Sequence, residues 1–286
     1  MPEGKGSYRL GFIGAGNMAN AIMRGVIARG IVQPNSVWAF DVDVDKLNRL
    51  SAELGICAAK DNCHVVLNSD IIILAVKPNT YSKVLIEIKA CLEERHILIS
   101  IAAGITVDFI KQIIGGRCKV VRTMPNTPAL VGEGMTALCT NHDLLPDELR
   151  AVKNILHSLG EVEEVPENLM DAVTAVSGSG PAYVAMFIEA LADGGVLAGL
   201  PRDVAYRMAV QTVIGTARLL IESRKHPGEI KDMVSSPAGT TIEAVRYLEK
   251  LGFRSAVIEA VNACMLKAKA IGKNMEGNIW KDERSI

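Results

Sequence analysis

Between residue 9 and about residue 165, short apolar runs alternate with longer segments that mix polar and apolar positions at helical spacing. The runs are RLGFIG (9–14), SVWAFD (36–41), DIIILAV (70–76), HILISIA (96–102), CKVVRTM (118–124) and MTALCT (135–140). A strand with one wet face would show apolar and polar residues in strict alternation. These runs are nearly continuous and rich in Val and Ile, which predicts parallel strands covered on both faces by the intervening helices. The fold class that follows is α/β, with a doubly wound parallel sheet.

After EVEEVPENL the pattern changes. No further strand is evident, and helices are predicted over 168–176, 180–199, 201–224, 228–234, 240–251 and 253–272. Pro181 and Pro201 sit where first-turn prolines are tolerated, and Gly199 and Gly252 sit where helices close. The chain therefore divides into a doubly wound α/β domain, 1–166, and an all-helical domain, 167–286. Within the second, PAYVAMFIEALADGGVLAGL is apolar nearly all round, with Ala185, Ala192, Gly194 and Gly195 allowing close helix approach. A helix of that kind has to be buried on most sides. The helical domain is too small to surround it alone, so a subunit partner is expected to cover part of it. The final stretch, NMEGNIWKDERSI, reads as a frayed tail.

Composition narrows the class of partner. Of 286 residues, 49% are hydrophobic, enough for real cores, and 31 basic residues nearly balance 32 acidic ones. Without a basic block or a basic stripe interleaved with aromatics, neither nucleic acid nor a membrane surface is the expected partner; a small molecule is. The apolar run after Met170 is broken by Gly178, Gly180 and Pro181 and then reaches Glu189 and Asp193, which argues against a membrane span. The N-terminal MPEGKGSYRL has no apolar signal core. Six scattered cysteines without Cys-x-x-Cys spacing suit a reducing cytoplasm. Five dispersed histidines show no metal-ligand spacing, so no metal is expected.

The first chemical motif is GFIGAGNMA, which places Gly14-x-Gly16-x-x-Ala19 directly after a strand and at the start of a helix. Gly14 makes the tight turn, Gly16 lets backbone approach a pyrophosphate, and a small residue at 19 lets helix pack on strand. Dinucleotide binding on a Rossmann sheet is the expectation, against a purely structural glycine turn. Asp41 ends the second run, about 20 residues further on, where a carboxylate bonds the adenosine ribose hydroxyls and favours NADH over NADPH. The alternative is that Asp41 caps the helix beginning near Val44, a job Asp43 could also do. Further strand ends carry AVKPN (75–79), SIAAG (100–104) and RTMPNTP (122–128), whose small residues leave room for a nicotinamide ring. Lys77 precedes Pro78 and is forced into an extended conformation, which favours a structural or phosphate-facing role over a chemical one.

The second motif is SSPAGTTI (235–242). Reduction of a ketone makes an alkoxide, so a His, Lys or Tyr is expected near the reacting oxygen. No such group accompanies a Gly/Ser-rich loop in the helical half, and His226, before Pro227, reads as a helix entry. A protonated imine accepts hydride and becomes a neutral amine, which asks only for a hydroxyl to hold the nitrogen. Pro237, Ala238 and Gly239 keep the turn narrow, the N–H groups of Gly239, Thr240 and Thr241 at a helix N-terminus suit a carboxylate, and Ser236 or Thr241 would face the nitrogen. Ser and Thr are also ordinary N-caps, so a capping segment is the competing reading.

These motifs, with MPNTPA, VSGSGPAYV, EALADGGVLAGLPR and VSSPAGTTIEAV…GFRSAVIEAV, occur in an order and spacing that closely resemble pyrroline-5-carboxylate reductases along almost the whole chain. The resemblance implies NAD(P)H-dependent reduction of 1-pyrroline-5-carboxylate to L-proline, the last step of proline synthesis. It also implies a Rossmann domain followed by a helical dimerisation domain, in a homodimer that often assembles into a decamer, a pentamer of dimers. By position, Ile13, Gly14, Ala15, Gly16, Asn17 and Met18 would wrap the pyrophosphate, and Asn62 would touch the adenosine side. Ala75, Val76, Lys77 and Pro78, with Ala102, Ala103 and Gly104, would line the nicotinamide. Ser236, Gly239, Thr240 and Thr241 would hold the substrate carboxylate, with Thr241 catalytic, nearest the imine nitrogen and serving a cofactor across the dimer interface.

The loop SGSG (177–180) is read as structural. Two departures from the family stand out: Ala238-Gly239 where Gly-Gly is usual, with Ala expected to fit at negative φ, and Asp41 where small or basic residues often bind a 2′-phosphate. A carboxylate there would repel that phosphate. Two other readings compete. A β-hydroxyacid or related imine reductase on the same scaffold is one, although SGSGPAYVAMFIEAL lacks the Lys expected of the former. A non-catalytic dinucleotide-binding protein is the other, although glycine fingerprint and hydroxyl loop are both intact.

Overall fold

The structure, a computed structural model, describes residues 8–139 and 144–282. Two compact units make up the chain: one runs to Ser179 and resumes at Cys264, and the other is Gly180–Ala263. The division lies beyond the 166/167 boundary expected from the sequence, and the C-terminal segment belongs with the N-terminal unit.

The first unit runs β1 (Leu10–Ile13), α1 (Asn17–Ala28), β2 (Val37–Phe40), α2 (Val44–Leu54), β3 (Cys57–Ala58), α3 (Asn62–Leu67), β4 (Ile71–Leu74), α4 (Tyr81–Ile88), β5 (Ile97–Ser100), α5 (Val107–Ile114), β6 (Lys119–Met124), β7 (Gly134–Cys139), α6 (Pro146–His157), β8 (Gly160–Glu164) and α7 (Met170–Val173). All eight strands form one sheet in the order β3-β2-β1-β4-β5-β6-β7-β8. Every neighbouring pair is parallel except β6 and β7. Alternate residues of a strand feed opposite cores. Phe12, Ile71, Ile73, Ile97 and Ile99 enter one, while Ile13, Ile72, Leu74 and Leu98 enter the other. Burial on both faces is why these strands read as unbroken apolar runs.

Three features depart from the sequence pattern. The loop between β6 and β7 holds only a short 3₁₀ turn, Thr127–Val131; it has no crossover helix, so β7 returns antiparallel. Strand β8, GEVEE, lies at the sheet edge with its glutamates exposed. Charge on an edge strand blocks further pairing, and it also hides the strand from a search for apolar runs. Third, Cys63 and Cys91 are joined as a disulfide with Cα atoms 5.9 Å apart; their separation of 28 residues gave no sign of it.

The second unit carries α8 (Gly180–Leu197), α9 (Arg202–Ser223), α10 (Pro227–Met233), α11 (Thr240–Lys250) and the start of α12 (Phe253–Asp282). Gly199 and Gly252 take positive φ after α8 and α11, as helix-closing glycines do. The stretch read as a frayed tail continues α12 to Asp282, a correction: its Met, Glu, Asn and Lys are compatible with helix. Its last four residues, like residue 140 of the sixth apolar run, lie outside the described residues. Helices α8 and α9 approach through small side chains, with Ala192, Ala205 and Ala209 buried. In the single chain Val184, Met186, Phe187 and Leu191 of α8 remain exposed.

Candidate active site

Strand order reverses between β1 and β4, and at such a switch point the strand ends leave a crevice. Here it is a cleft of about 570 Å³ whose walls include Gly14, Gly16, Asp41, Asn62, Ala75, Val76 and Lys77. Gly14 has φ 95°, and a Cβ on it would come within 2.7 Å of the Ala75 carbonyl oxygen. The fold itself therefore demands that glycine. Gly16 is different. It is the N-cap of α1 with φ −69°, and a Cβ there would meet nothing within 4 Å. The protein leaves open the space a pyrophosphate would need. Ala19 is fully buried, as the helix-packing position of the fingerprint requires.

The two acidic residues after β2 divide their work. Asp43 caps α2, accepting from the Lys46 backbone N–H at 3.0 Å. Asp41 is thereby left at the cleft, where Oδ2 accepts from Ala15 N–H at 2.6 Å and from Lys46 Nζ at 3.2 Å, and Oδ1 from Asp43 N–H at 3.0 Å. Partial burial works to raise its pKa, but the N–H donors of Asp43 and Ala15 and the Lys46 ammonium outweigh it, and the net shift is downward. Asp41 is a fixed anion at neutral pH. The buried Asn62, which also lines the cleft, donates through Nδ2 to Glu87 Oε2 at 2.9 Å, while its Oδ1 has no partner among the described residues. A buried acceptor left open in this way awaits a donor.

Lys77 has ψ 147° ahead of the turn Pro78–Thr80, extended as Pro78 dictates. Beneath the ends of β4 and β5, the buried Tyr81 hydroxyl donates to Leu74 O at 2.8 Å and lies 3.1 Å from Ser100 Oγ. Burial drives this phenol far above its ordinary pKa, so it holds strands and keeps its proton. Ile13, Ala15, Asn17, Met18 and Pro78 flank the cleft-lining residues in sequence. Ala102, Ala103 and Gly104 follow the neighbouring β5 and are not among the lining residues; Gly104, at φ 76°, instead receives α12, where its Cβ would lie 3.2 Å from Gly272 N. Lys46, Lys83 and Glu87 line the cleft without having been singled out in the sequence. No local motif marks Glu87, which reaches the site only because α4 packs beside α3.

In the second unit, Gly239 N–H donates to Ser236 O at 3.0 Å, closing a turn with Pro237 and Ala238 at its centre. Ala238 has φ 57°, which corrects the expected negative φ. The third position of a type II turn requires a positive value, hence the glycine usual there. Ala238→Gly should accordingly raise the unfolding free energy by up to about 1 kcal/mol, relief of left-handed strain exceeding the entropy glycine adds to the unfolded chain; chemical denaturation measures it. Gly239 is the N-cap of α11 and supplies no side-chain cap. A Cβ on Gly239 would fall 2.2 Å from Ser236 Oγ. Among the described residues, the hydroxyls of Ser236, Thr240 and Thr241 make no hydrogen bond with protein. The serines and threonines are thus not the caps of this helix, and its first N–H groups are uncapped beside three unengaged hydroxyls.

His226 is the N-cap of α10, its Nδ1 accepting from Gly228 N–H at 3.0 Å while Glu229 accepts from His226 N–H; it is a structural residue. The segment 177–180, expected as a loop, is instead largely helical, since Ser177 and Gly178 end the π-helical turn Thr174–Gly178 and Gly180 opens α8; it too is structural in part. Asn126 Nδ2 donates to Ser177 O at 3.0 Å, and a Cβ on Gly178 would come within 2.7 Å of Met124 Cε.

A glycine-lined cleft at the switch point, a fixed aspartate where the ribose would lie and a following helical unit define a nicotinamide-dependent oxidoreductase. Residues 167–271 match the model of pyrroline-5-carboxylate reductase dimerisation, and residues 9–104 that of NADP oxidoreductase, coenzyme F420-dependent. A pyrroline-5-carboxylate reductase of Escherichia coli (strain K12) is 48% identical over 266 residues, covering 93% of this chain and 99% of its own. One from Methanosarcina acetivorans is 45% identical over 267 residues, covering 93% and 99%. A solved Plasmodium falciparum pyrroline carboxylate reductase with NADP bound superimposes with TM-score 0.86 at 35% identity, covering 94% of this chain and all of that one. This chain belongs to the pyrroline-5-carboxylate reductase family.

Proposed function

We propose that the protein reduces 1-pyrroline-5-carboxylate to L-proline, the last step of proline biosynthesis, as a cytoplasmic homodimer that uses NADH in preference to NADPH. The observation that carries this reading is the uncapped N-terminus of α11 behind the Ser236–Gly239 turn, in a chain of this family. The N–H groups of Thr240 and Thr241 hold the substrate carboxylate, as helix N-termini hold anions, while the Gly239 N–H, engaged with Ser236 O, keeps the turn closed. The Thr241 hydroxyl positions the imine nitrogen, and Ser236 and Thr240 complete the polar wall.

The residues of the first unit fit a dinucleotide: open space at Gly16 for a pyrophosphate, Asp41 for ribose hydroxyls, and the unsatisfied Asn62 Oδ1 for an adenosine donor. When bound, the reduced nicotinamide supplies hydride. This chain has only to orient the imine and exclude water, because a protonated imine that gains hydride ends as a neutral amine. Ile13 to Met18 surround the pyrophosphate, and Ala75 to Pro78 lie at the strand end toward the ring, with Ala102 and Ala103 after the neighbouring β5 as its outer neighbours and Gly104 given to packing against α12. The exposed apolar residues of α8 support a homodimer, and the reading includes further assembly of such dimers into a decamer.

The Plasmodium falciparum relative holds NADP; the preference for NADH here rests on Asp41. Steady-state assays with pyrroline-5-carboxylate and a keto acid, each with NADH and NADPH, test the function. Imine reduction with NADH should dominate, and turnover of the keto acid alone would overturn the reading. Asp41→Ser removes a charged acceptor from the ribose and frees Lys46 to meet a 2′-phosphate. It should lower the NADH-to-NADPH ratio of kcat/KM by at least about tenfold, the worth of one charge-assisted hydrogen bond.

A further inference from the structure

We propose that Cys63 and Cys91 form a reversible dithiol–disulfide site that sets the affinity of the cleft for the adenosine end of the cofactor, an inference that rests on the cofactor reading above. Cys63 follows Asn62 on α3, and Cys91 ends the 3₁₀ turn Lys89–Cys91 that continues from α4. Their Cα atoms are 5.9 Å apart, at the separation a disulfide prefers. Both side chains are partly exposed, so a reductant can reach them. The other cysteines differ. Cys118 and Cys139 are buried, and burial pushes the Cys118 thiol up to about 12, while Cys57 and Cys264 have no disulfide partner among the described residues.

The link lies directly behind the wall of the cleft. Cys63 Sγ is 3.4 Å from the Glu87 carbonyl oxygen, and the Glu87 carboxylate accepts from Asn62 Nδ2 at 2.9 Å. Both Asn62 and Glu87 line the cleft, and Asn62 Oδ1 is the buried acceptor without a partner. Helix α3 has only six residues, too few to hold itself rigid, so the covalent tie to the end of α4 fixes the distance between these two polar side chains. With the tie open, the sulfurs part to van der Waals contact and the Asn62–Glu87 wall loses its fixed register. A wall ordered in advance binds more tightly than one that must be ordered on binding.

Opening is thiol–disulfide exchange. A thiolate of an external dithiol attacks one sulfur, the S–S bond breaks, and its electron pair leaves on the other sulfur, which takes up a proton. The reductant's second thiol then displaces the first cysteine from the mixed disulfide, and that cysteine is protonated in turn. The protein gains two electrons and two protons, and the reductant becomes a disulfide. Closing is the reverse, with a low-molecular-weight disulfide as oxidant. In a reducing compartment the pair would rest open and close under oxidation, tightening the site for its reduced cofactor.

The test uses the full-length protein equilibrated with glutathione disulfide or with dithiothreitol. Intact mass under non-reducing conditions verifies the state through the gain of two hydrogens, and NADH fluorescence and steady-state kinetics read the effect. The reduced form should bind NADH at least about fivefold more weakly, the lower end of coupling between sites, with kcat at saturating NADH unchanged. The C63S/C91S double variant should keep the weaker affinity under both conditions. Equal affinity in two mass-verified states overturns the proposal, as does failure of the pair to form or open. If neither state binds NADH, the cofactor reading itself falls and this proposal with it.

Discussion

Thr241→Ala lowers kcat with pyrroline-5-carboxylate by about a hundredfold, the scale of removing one positioned hydrogen-bonding group from a reacting centre, and leaves the NADH dissociation constant unchanged. The split follows from where the residue sits. Thr241 is the second residue of α11, and the N-cap is Gly239, which contributes no side chain. Removing the hydroxyl therefore takes no cap from the helix, and the unfolding midpoint should not move. A capping threonine would behave in the opposite way, losing stability typically by about 1 kcal/mol and activity only in proportion to the unfolded fraction. Thr241→Ser keeps the hydroxyl and should restore most of the turnover. Steady-state kinetics, NADH titration and thermal unfolding on the three proteins separate the alternatives.

Gly16→Ala weakens NADH binding on the order of 10 to 100-fold, the worth of one or two charge-assisted hydrogen bonds, in a protein that stays folded. Its backbone, at φ −69° and ψ −177°, accepts any residue, and nothing within 4 Å would oppose a methyl group. The only thing the added carbon can displace is a ligand approaching the start of α1. Gly14→Ala is the contrasting control. With φ 95° and the Ala75 carbonyl oxygen 2.7 Å from the new Cβ, it should destabilise the fold whether or not cofactor is present. Isothermal titration and thermal unfolding of both variants distinguish the glycine kept for a ligand from the glycine kept for a turn.

The strands β1, β2, β4, β5 and β6 were legible because burial on both faces writes itself into sequence as continuous apolar runs. Strand β8 was not, because an edge strand carries glutamates on purpose of solubility and shows only Val162 to the core. The reversal of β7 was equally hidden, since direction depends on how short the Thr127–Val131 connection is and not on the strand's own residues. At the site, the fingerprint glycines and Asp41 could be read, and Asp43 was visible as a rival cap. Only the structure assigns the capping to Asp43 and leaves Asp41 at the cleft. Ala238 shows the limit of reasoning from residue type: alanine suggests negative φ, yet the turn imposes 57°. Glu87 and the Cys63–Cys91 pair had no local signal at all, because what makes each of them matter is a neighbour brought close by packing of α3 against α4.

Crystals of the protein grown with NAD⁺ and L-proline provide the most direct test that amide dipoles and an alcohol, with no strongly titrating side chain, manage the substrate. The account predicts the proline carboxylate on the N–H groups of Thr240 and Thr241, and the ring nitrogen within hydrogen-bond reach of the Thr241 hydroxyl. A ring seated away from residues 236–241, or with its nitrogen against Lys77 or His226, would contradict it.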